Sequence, residues 1–186
     1  ARIPFAERVT LHQANLAEEA DVEALYESID GLFGSIHTAG GFGMAGIESI
    51  SMDDFASMMM LNAATAFLCC REAVKAMRRV GKGGRIVNVV ARPVLEPVGG
   101  MLAYTTSKAA VASMTQCLAK EVLGERILVN AVAPSLMDTP RNREGMPDAD
   151  FESWPKVADV AHAIVALASP SNALTTGTIL PVYGLG

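Results

Sequence analysis

Arg85-Ile-Val-Asn-Val-Val90 and Ile127-Leu-Val-Asn-Ala-Val132, with Tyr104-Thr-Thr-Ser-Lys108 between them, decide the fold of this chain. Both outer runs are short, apolar and rich in β-branched residues. Neither alternates with polar residues, so each reads as a strand buried on both faces. After the first run comes a loop with Pro93, Pro97, Gly99 and Gly100. A segment rich in Ala and Lys follows from about Ala103 to Leu123, a helix by composition. The second strand ends in Ala133-Pro134.

Tyr104 and Lys108 stand one helical turn apart, so their side chains share a face. A free phenol has a pKa of about 10 and is a poor acid–base catalyst near neutrality. A neighbouring cation favours the phenolate and draws that pKa down. The pair therefore suits proton transfer at an alcohol or carbonyl oxygen. The plainer reading is a half-buried Tyr beside a solvated Lys.

The chain has 186 residues, a length suited to one domain, 1–186. Hydrophobic residues make up 51% and aromatic ones 5%, which fits Val/Ile/Leu strands and Ala-rich helices in an α/β fold. The formal charge is −5, with no basic stripe, so nucleic acid is not an expected partner. No apolar run reaches the ~18 residues of a membrane span, and the first residues, Ala1 to Arg8, carry no signal-peptide core. Cys69, Cys70 and Cys117 lie in expected helices without metal spacing, and read as buried thiols in a reducing cytoplasm. His12, His37 and His162 read as structural or surface residues.

Elsewhere, Val9 to Asn15 reads as a strand. The acidic stretch Ala17 to Ile29 reads as a surface helix with Val22, Leu25 and Ile29 inward. Ser35 to Thr38 is a further strand. Asp53 is a candidate N-cap for a long helix reaching about Arg79. Met58 to Leu61, Ala63, Phe67 and Leu68 make that helix apolar on more than one side, which reads as burial both on its own sheet and on a neighbour, or as ordinary core filling. Asn62 is a weak helix former mid-helix and invites a reason, an interhelical hydrogen bond being the plain one. Lys156 to Ala168 is the last helix, with Pro155 at its start. Thr178 to Val182 is the last strand, placed at an edge by Pro181.

These pieces, in this order, resemble the short-chain dehydrogenase/reductase family. Asn15-Leu16 closes the first strand, and Thr38-Ala39-Gly40-Gly41 stands where the family has Asn-Asn-Ala-Gly. Asn62, Ile86-Val87-Asn88, Tyr104 with Lys108, Val129 to Pro134, and Thr139-Pro140 follow. The resemblance implies a Rossmann-like, doubly wound parallel sheet. It implies hydride transfer between NAD or NADP and a carbonyl or alcohol, in a homodimer or homotetramer paired through the Asn62 and Tyr104 helices. Tyr104 would exchange the proton, Lys108 would lower its pKa and hold the nicotinamide ribose, and Asn62 would serve a water-linked relay. Asn15, Ala39 and Gly40 would line the adenosine side. Pro134 and Thr139 would border the nicotinamide. The polar stretch Asp138 to Trp154 would be a lid.

Two departures stand against that pattern. The family's opening Gly-rich strand-to-helix turn, which holds a pyrophosphate, has no counterpart before Gly31, and Gly40-Gly41 falls at a later position. The expectation is a chain lacking its first βαβ portion, on the order of 40–50 residues. The family also places a Ser thirteen residues before the Tyr, where this chain has Ala91, and no Ser, Thr or Tyr occurs from Ile86 to Ala103. Losing one donor to a developing oxyanion costs ~10²–10³ in rate. The chain is then slow or inactive, or its substrate brings a hydrogen-bonding group, or Arg92 or Ser135 takes the role. Two classes stay open: an oxidoreductase, and a non-catalytic relative binding a nucleotide or a protein.

Overall fold

The computed structural model describes residues 6–184. Four strands form one parallel sheet in the order β1 (Gly34–His37), β2 (Gly84–Val89), β3 (Ile127–Pro134) and β4 (Ile179–Val182). β3 is buried along its whole length, as its apolar residues require. Its one polar side chain, Asn130, is satisfied by donating Nδ2 to Thr175 O at 2.8 Å and accepting at Oδ1 from Thr178 N at 3.2 Å. β4 pairs only with β3, which puts Pro181 on an edge strand as its missing N–H demands.

Helices cover both faces. On one, α3 (Thr65–Val80) and α4 (Leu102–Glu121) pack on Ile86, Val129 and Ala131. On the other, α6 (Val157–Ala168) lays Val160, Ile164 and Leu167 on Val87 and Val132. That i, i+4, i+7 spacing is one helical stripe. Each fully buried aliphatic side chain contributes about 1.5–3 kcal/mol. α1 (Glu19–Glu27) adds Val22 and Tyr26 to the first core, with Leu25 partly buried against it. The fold is thus the expected α/β sheet, wound on both sides.

Four local readings are corrected. Residues 9–15 form no strand, and most of that segment is exposed. A strand needs a ladder partner, and among the described residues none lies beside the outer edge of β1. Asp53 is not the N-cap of α2 (Met52–Met59); Ser51 is. Ser51 Oγ accepts from Asp54 N at 3.0 Å, and the Asp54 carboxylate accepts from Ser51 N at 3.1 Å, a reciprocal pair unavailable to Asp53. Pro155 precedes Lys156, the N-cap of α6, rather than opening the helix. Cys69 and Cys70 are buried as expected, whereas Cys117 is exposed on the outer side of α4.

His37 is structural. Its Nδ1 lies 2.8 Å from Asn88 Oδ1, and Asn88 Nδ2 donates to Thr115 Oγ1 at 2.9 Å. Ser35 Oγ meets His37 Nε2 at 2.8 Å and Tyr26 OH at 2.8 Å. This chain of bonds ties α1, β1, β2 and α4 together. Burial lowers the His37 pKa to about 4, so the ring is neutral near pH 7.

Candidate active site

Parallel strands deliver their carboxyl ends to one side of a sheet, where α/β proteins bind ligands. Here that side receives Thr38 to Gly40 after β1, Ala91 after β2, and Pro134 and Ser135 at the end of β3. α4 runs back from this side. Ala103, Ser107, Val111 and Thr115 repeat every four residues along its buried stripe, joined by Lys108 and Ala112. Tyr104 therefore sits half-buried near the mouth, and Lys108 one turn deeper.

The long helix bearing Asn62 is continuous but not α-helical throughout. Between α2 and α3, Met60–Ala64 forms a π-helical turn. Thr65 N reaches back to Met60 O, one residue farther than in an α-helix, and Leu61 O accepts from Thr65 Oγ1 instead at 2.9 Å. Single π turns of this kind frequently mark functional sites. Asn62, at its centre, is 1% exposed. Its Oδ1 accepts from Gly41 N at 2.9 Å, and its Nδ2 donates to Gly41 O at 3.1 Å and Ser107 Oγ at 3.0 Å. Ser107 Oγ in turn donates to Tyr104 O at 2.7 Å. Asn62 thus clamps the loop after β1 and links it to the helix of Tyr104. Ser107 is the member of this link that spacing alone did not single out.

Lys108 Nζ donates to Val89 O at 2.9 Å. Burial lowers its pKa from 10.5 to about 8, with no countering carboxylate among the causes. Burial raises the Tyr104 pKa. This reverses the direction expected from the Tyr–Lys spacing. The ammonium is turned to the Val89 carbonyl, and burial alone sets the direction of the Tyr104 shift. Gly40 completes the corner: a Cβ there would stand 2.5 Å from Asn62 Oδ1 and 3.1 Å from Lys108 Nζ. Only glycine lets the backbone approach so closely.

The remaining candidates divide. Ala39 lines a hollow of about 220 Å³ with Leu16, Thr38, Thr65 and Ala66. Asn15 stands at the turn before α1, where its N donates to Asp21 Oδ2 at 2.8 Å. Pro134 is buried at the end of β3, and Thr139 caps α5 (Pro140–Gly145), accepting from Asn142 N at 3.2 Å. Arg92 is engaged: its Nε donates to Glu96 Oε2 at 2.8 Å, and its guanidinium lies 4.7 Å from the centroid of the Tyr183 ring. Ser135 Oγ donates to Tyr183 O at 2.9 Å, tying β3 to β4. Ala91 itself is 6% exposed and extended. In the expected lid, Arg143 and Lys156 both hold the Asp138 carboxylate, well below its usual pKa. Arg143 also covers the Phe151 ring at 4.6 Å.

A family model described as short chain dehydrogenase matches residues 3–150. The chain belongs to the short-chain dehydrogenase/reductase family. By class it is therefore an oxidoreductase. A short-chain type dehydrogenase/reductase of Picea abies is 33% identical, the match spanning 95% of this chain and 70% of the relative. An NADPH-dependent aldehyde reductase-like protein of Arabidopsis thaliana is 29% identical over 95% of this chain and 71% of the relative. The solved structure of ElxO with NADP bound superposes with a TM-score of 0.89 at 24% identity, covering 97% of this chain and 79% of that one. At that identity the likeness shows the fold. For this short-chain dehydrogenase/reductase, the helix crossing of Asn62, Ser107, Tyr104 and Lys108 is the candidate centre. No helix among the described residues is long and apolar enough to cross a membrane.

Proposed function

We propose that this protein is an NAD- or NADP-dependent oxidoreductase acting on a carbonyl or alcohol, with Tyr104 exchanging the proton at the substrate oxygen. One observation carries the reading: Lys108 is a buried ammonium whose shift has no carboxylate to offset it, one turn from Tyr104 and against Gly40 and Asn62. A buried charge without a counter-ion is costly, and such groups concentrate at functional sites.

The residues present fit a dinucleotide on one side. The Gly40 corner, which a Cβ would close, opens beside the hollow lined by Leu16, Ala39 and Thr65. When bound, NAD or NADP supplies the hydride acceptor or donor. Lys108 would hold the ribose hydroxyls and, with its charge brought to bear on the phenol, lower the Tyr104 pKa. Asn15, Ala39 and Gly40 would border the adenosine, and Pro134 and Thr139 the nicotinamide. Asn62, locked by Gly41 and Ser107, would fix the π turn from which a water-linked proton relay starts.

Exposed Met52, Met60, Leu61 and Phe67, with Leu102 on α4, support a homodimer or homotetramer through these two helices. The free thiols Cys69, Cys70 and Cys117 support a cytoplasmic location.

The test is a panel of aldehydes and ketones, followed by nicotinamide absorbance, on the full chain and on Tyr104→Phe. The variant should lose at least ~10²-fold in turnover with little change in cofactor affinity. Turnover within a factor of about two of the parent, where a lost general acid–base is worth ~10² or more, sinks the assignment. A second reading, a non-catalytic relative that binds a nucleotide or partner, rests on Ala91. Cofactor binding with no turnover of any carbonyl would select it.

A further inference from the structure

We propose that Phe42 sets the substrate class of this site, as an aromatic wall that selects carbonyls and alcohols bearing an aryl group on the reacting carbon. The proposal rests on the reading of Tyr104 as the proton-exchanging residue.

The Phe42 and Tyr104 rings meet edge to face, with centroids 5.0 Å apart and planes at 73°. That is a preferred aromatic geometry. Yet Phe42 remains 63% exposed. One part of the ring is spent on Tyr104, and the rest is open apolar surface next to the phenol. A substrate oxygen that reaches the Tyr104 hydroxyl brings its carbon substituents into this neighbourhood.

The wall is fixed in place. Asn62 grips both polar atoms of the Gly41 backbone, and Ala45 N donates to Gly100 O at 2.8 Å. On the helix side the loop lies close against side chains: a Cβ on Gly41 would stand 2.2 Å from Leu61 Cδ2, and one on Gly43 would stand 2.8 Å from Met58 Cε. Phe42, between those two glycines, carries its ring to α4 instead. Pre-organised aromatic surface binds without a large ordering cost.

The chemistry of the surroundings points to an apolar group. No charged residue lies from Thr38 to Ile47. Met44, 62% exposed, extends the apolar surface. In the facing loop the single carboxylate, Glu96, is paired with Arg92. Ala91 offers no hydroxyl to hold the reacting oxygen. Orientation then depends on packing, and the packing surface at hand is Phe42.

The experiment compares benzaldehyde with propanal on the full chain, on Phe42→Ala and on Phe42→Tyr, with a nicotinamide cofactor. The parent should prefer benzaldehyde. Phe42→Ala should lose about tenfold in kcat/KM on benzaldehyde, the scale of a lost aromatic pair with its burial, and much less on propanal. Phe42→Tyr should restore the preference. Equal losses on both aldehydes mean that Phe42 only supports the Tyr104 ring, and no change means that it does nothing; either overturns the proposal. If the parent reduces neither aldehyde, the comparison moves from turnover to binding, and the panel of carbonyls decides the oxidoreductase reading separately. Saturation-transfer NMR with benzyl alcohol then decides about Phe42. A signal present in the parent and lost in Phe42→Ala supports the wall. A signal absent from the parent, or equal in both, overturns it.

Discussion

Replacing Lys108 by Met should stabilise the protein while removing its activity. The side chain is 7% exposed, and burial takes its pKa from 10.5 to about 8. A tenfold change in proton affinity is worth about 1.4 kcal/mol. Keeping the charge in the folded chain therefore costs about 3 kcal/mol at neutral pH. The variant forfeits the hydrogen bond to Val89 O, worth about 1 kcal/mol. The net expectation is a gain of about 2 kcal/mol. Because the folded pKa lies below the unfolded one, the folded state holds fewer protons between pH 8 and 10.5. The parent thus gains stability as pH rises through that window, and Lys108→Met does not. Its advantage is full below about pH 8 and disappears towards pH 10.5. Urea unfolding of both proteins, at neutral pH and stepwise across this window, measures the difference. A variant less stable than its parent at neutral pH, or a gap that ignores pH, would refute the reasoning.

Two further substitutions address the corner around Lys108. Ala91→Ser adds the missing hydroxyl at a buried, extended position, and should raise turnover of simple ketones by about tenfold or more, towards the ~10² scale of one oxyanion donor. Steady-state kinetics on acetone and cyclohexanone check this, and an unchanged rate would show that the position does not face the reacting oxygen. Gly40→Ala brings a Cβ to 2.5 Å from Asn62 Oδ1. It should push the amide off Gly41, lower the melting temperature by several degrees (about 1–3 kcal/mol) and weaken NAD or NADP binding at least tenfold, roughly 1.4 kcal/mol. Calorimetric titration reading the parent's affinity in the variant would remove Gly40 from the binding corner.

The sequence by itself carried the parts whose physics is local. β2 and β3 were legible because a run of apolar residues on both faces, such as Ile127 to Val132 with Asn130 its single polar member, is satisfied by burial on both faces. α4 was legible from its composition, and Tyr104 and Lys108 from one helical turn of spacing. Everything that needed a distant partner was decided elsewhere. Val9 to Asn15 has the composition of a strand, but a ladder is made by two segments, and β1 has no described neighbour on that side. Asp53 suits an N-cap by residue type, but the reciprocal bonds between Ser51 and Asp54 put the cap at Ser51. The same division runs through the site. Spacing predicted a Lys that lowers the Tyr pKa, but the charges answer to burial, and burial comes from the loop after β1, the Val89 carbonyl and the π turn. Phe42 carries no signal in the chain at all. It gains a role because Asn62, on a separate helix, holds its loop against the face of α4 where Tyr104 stands.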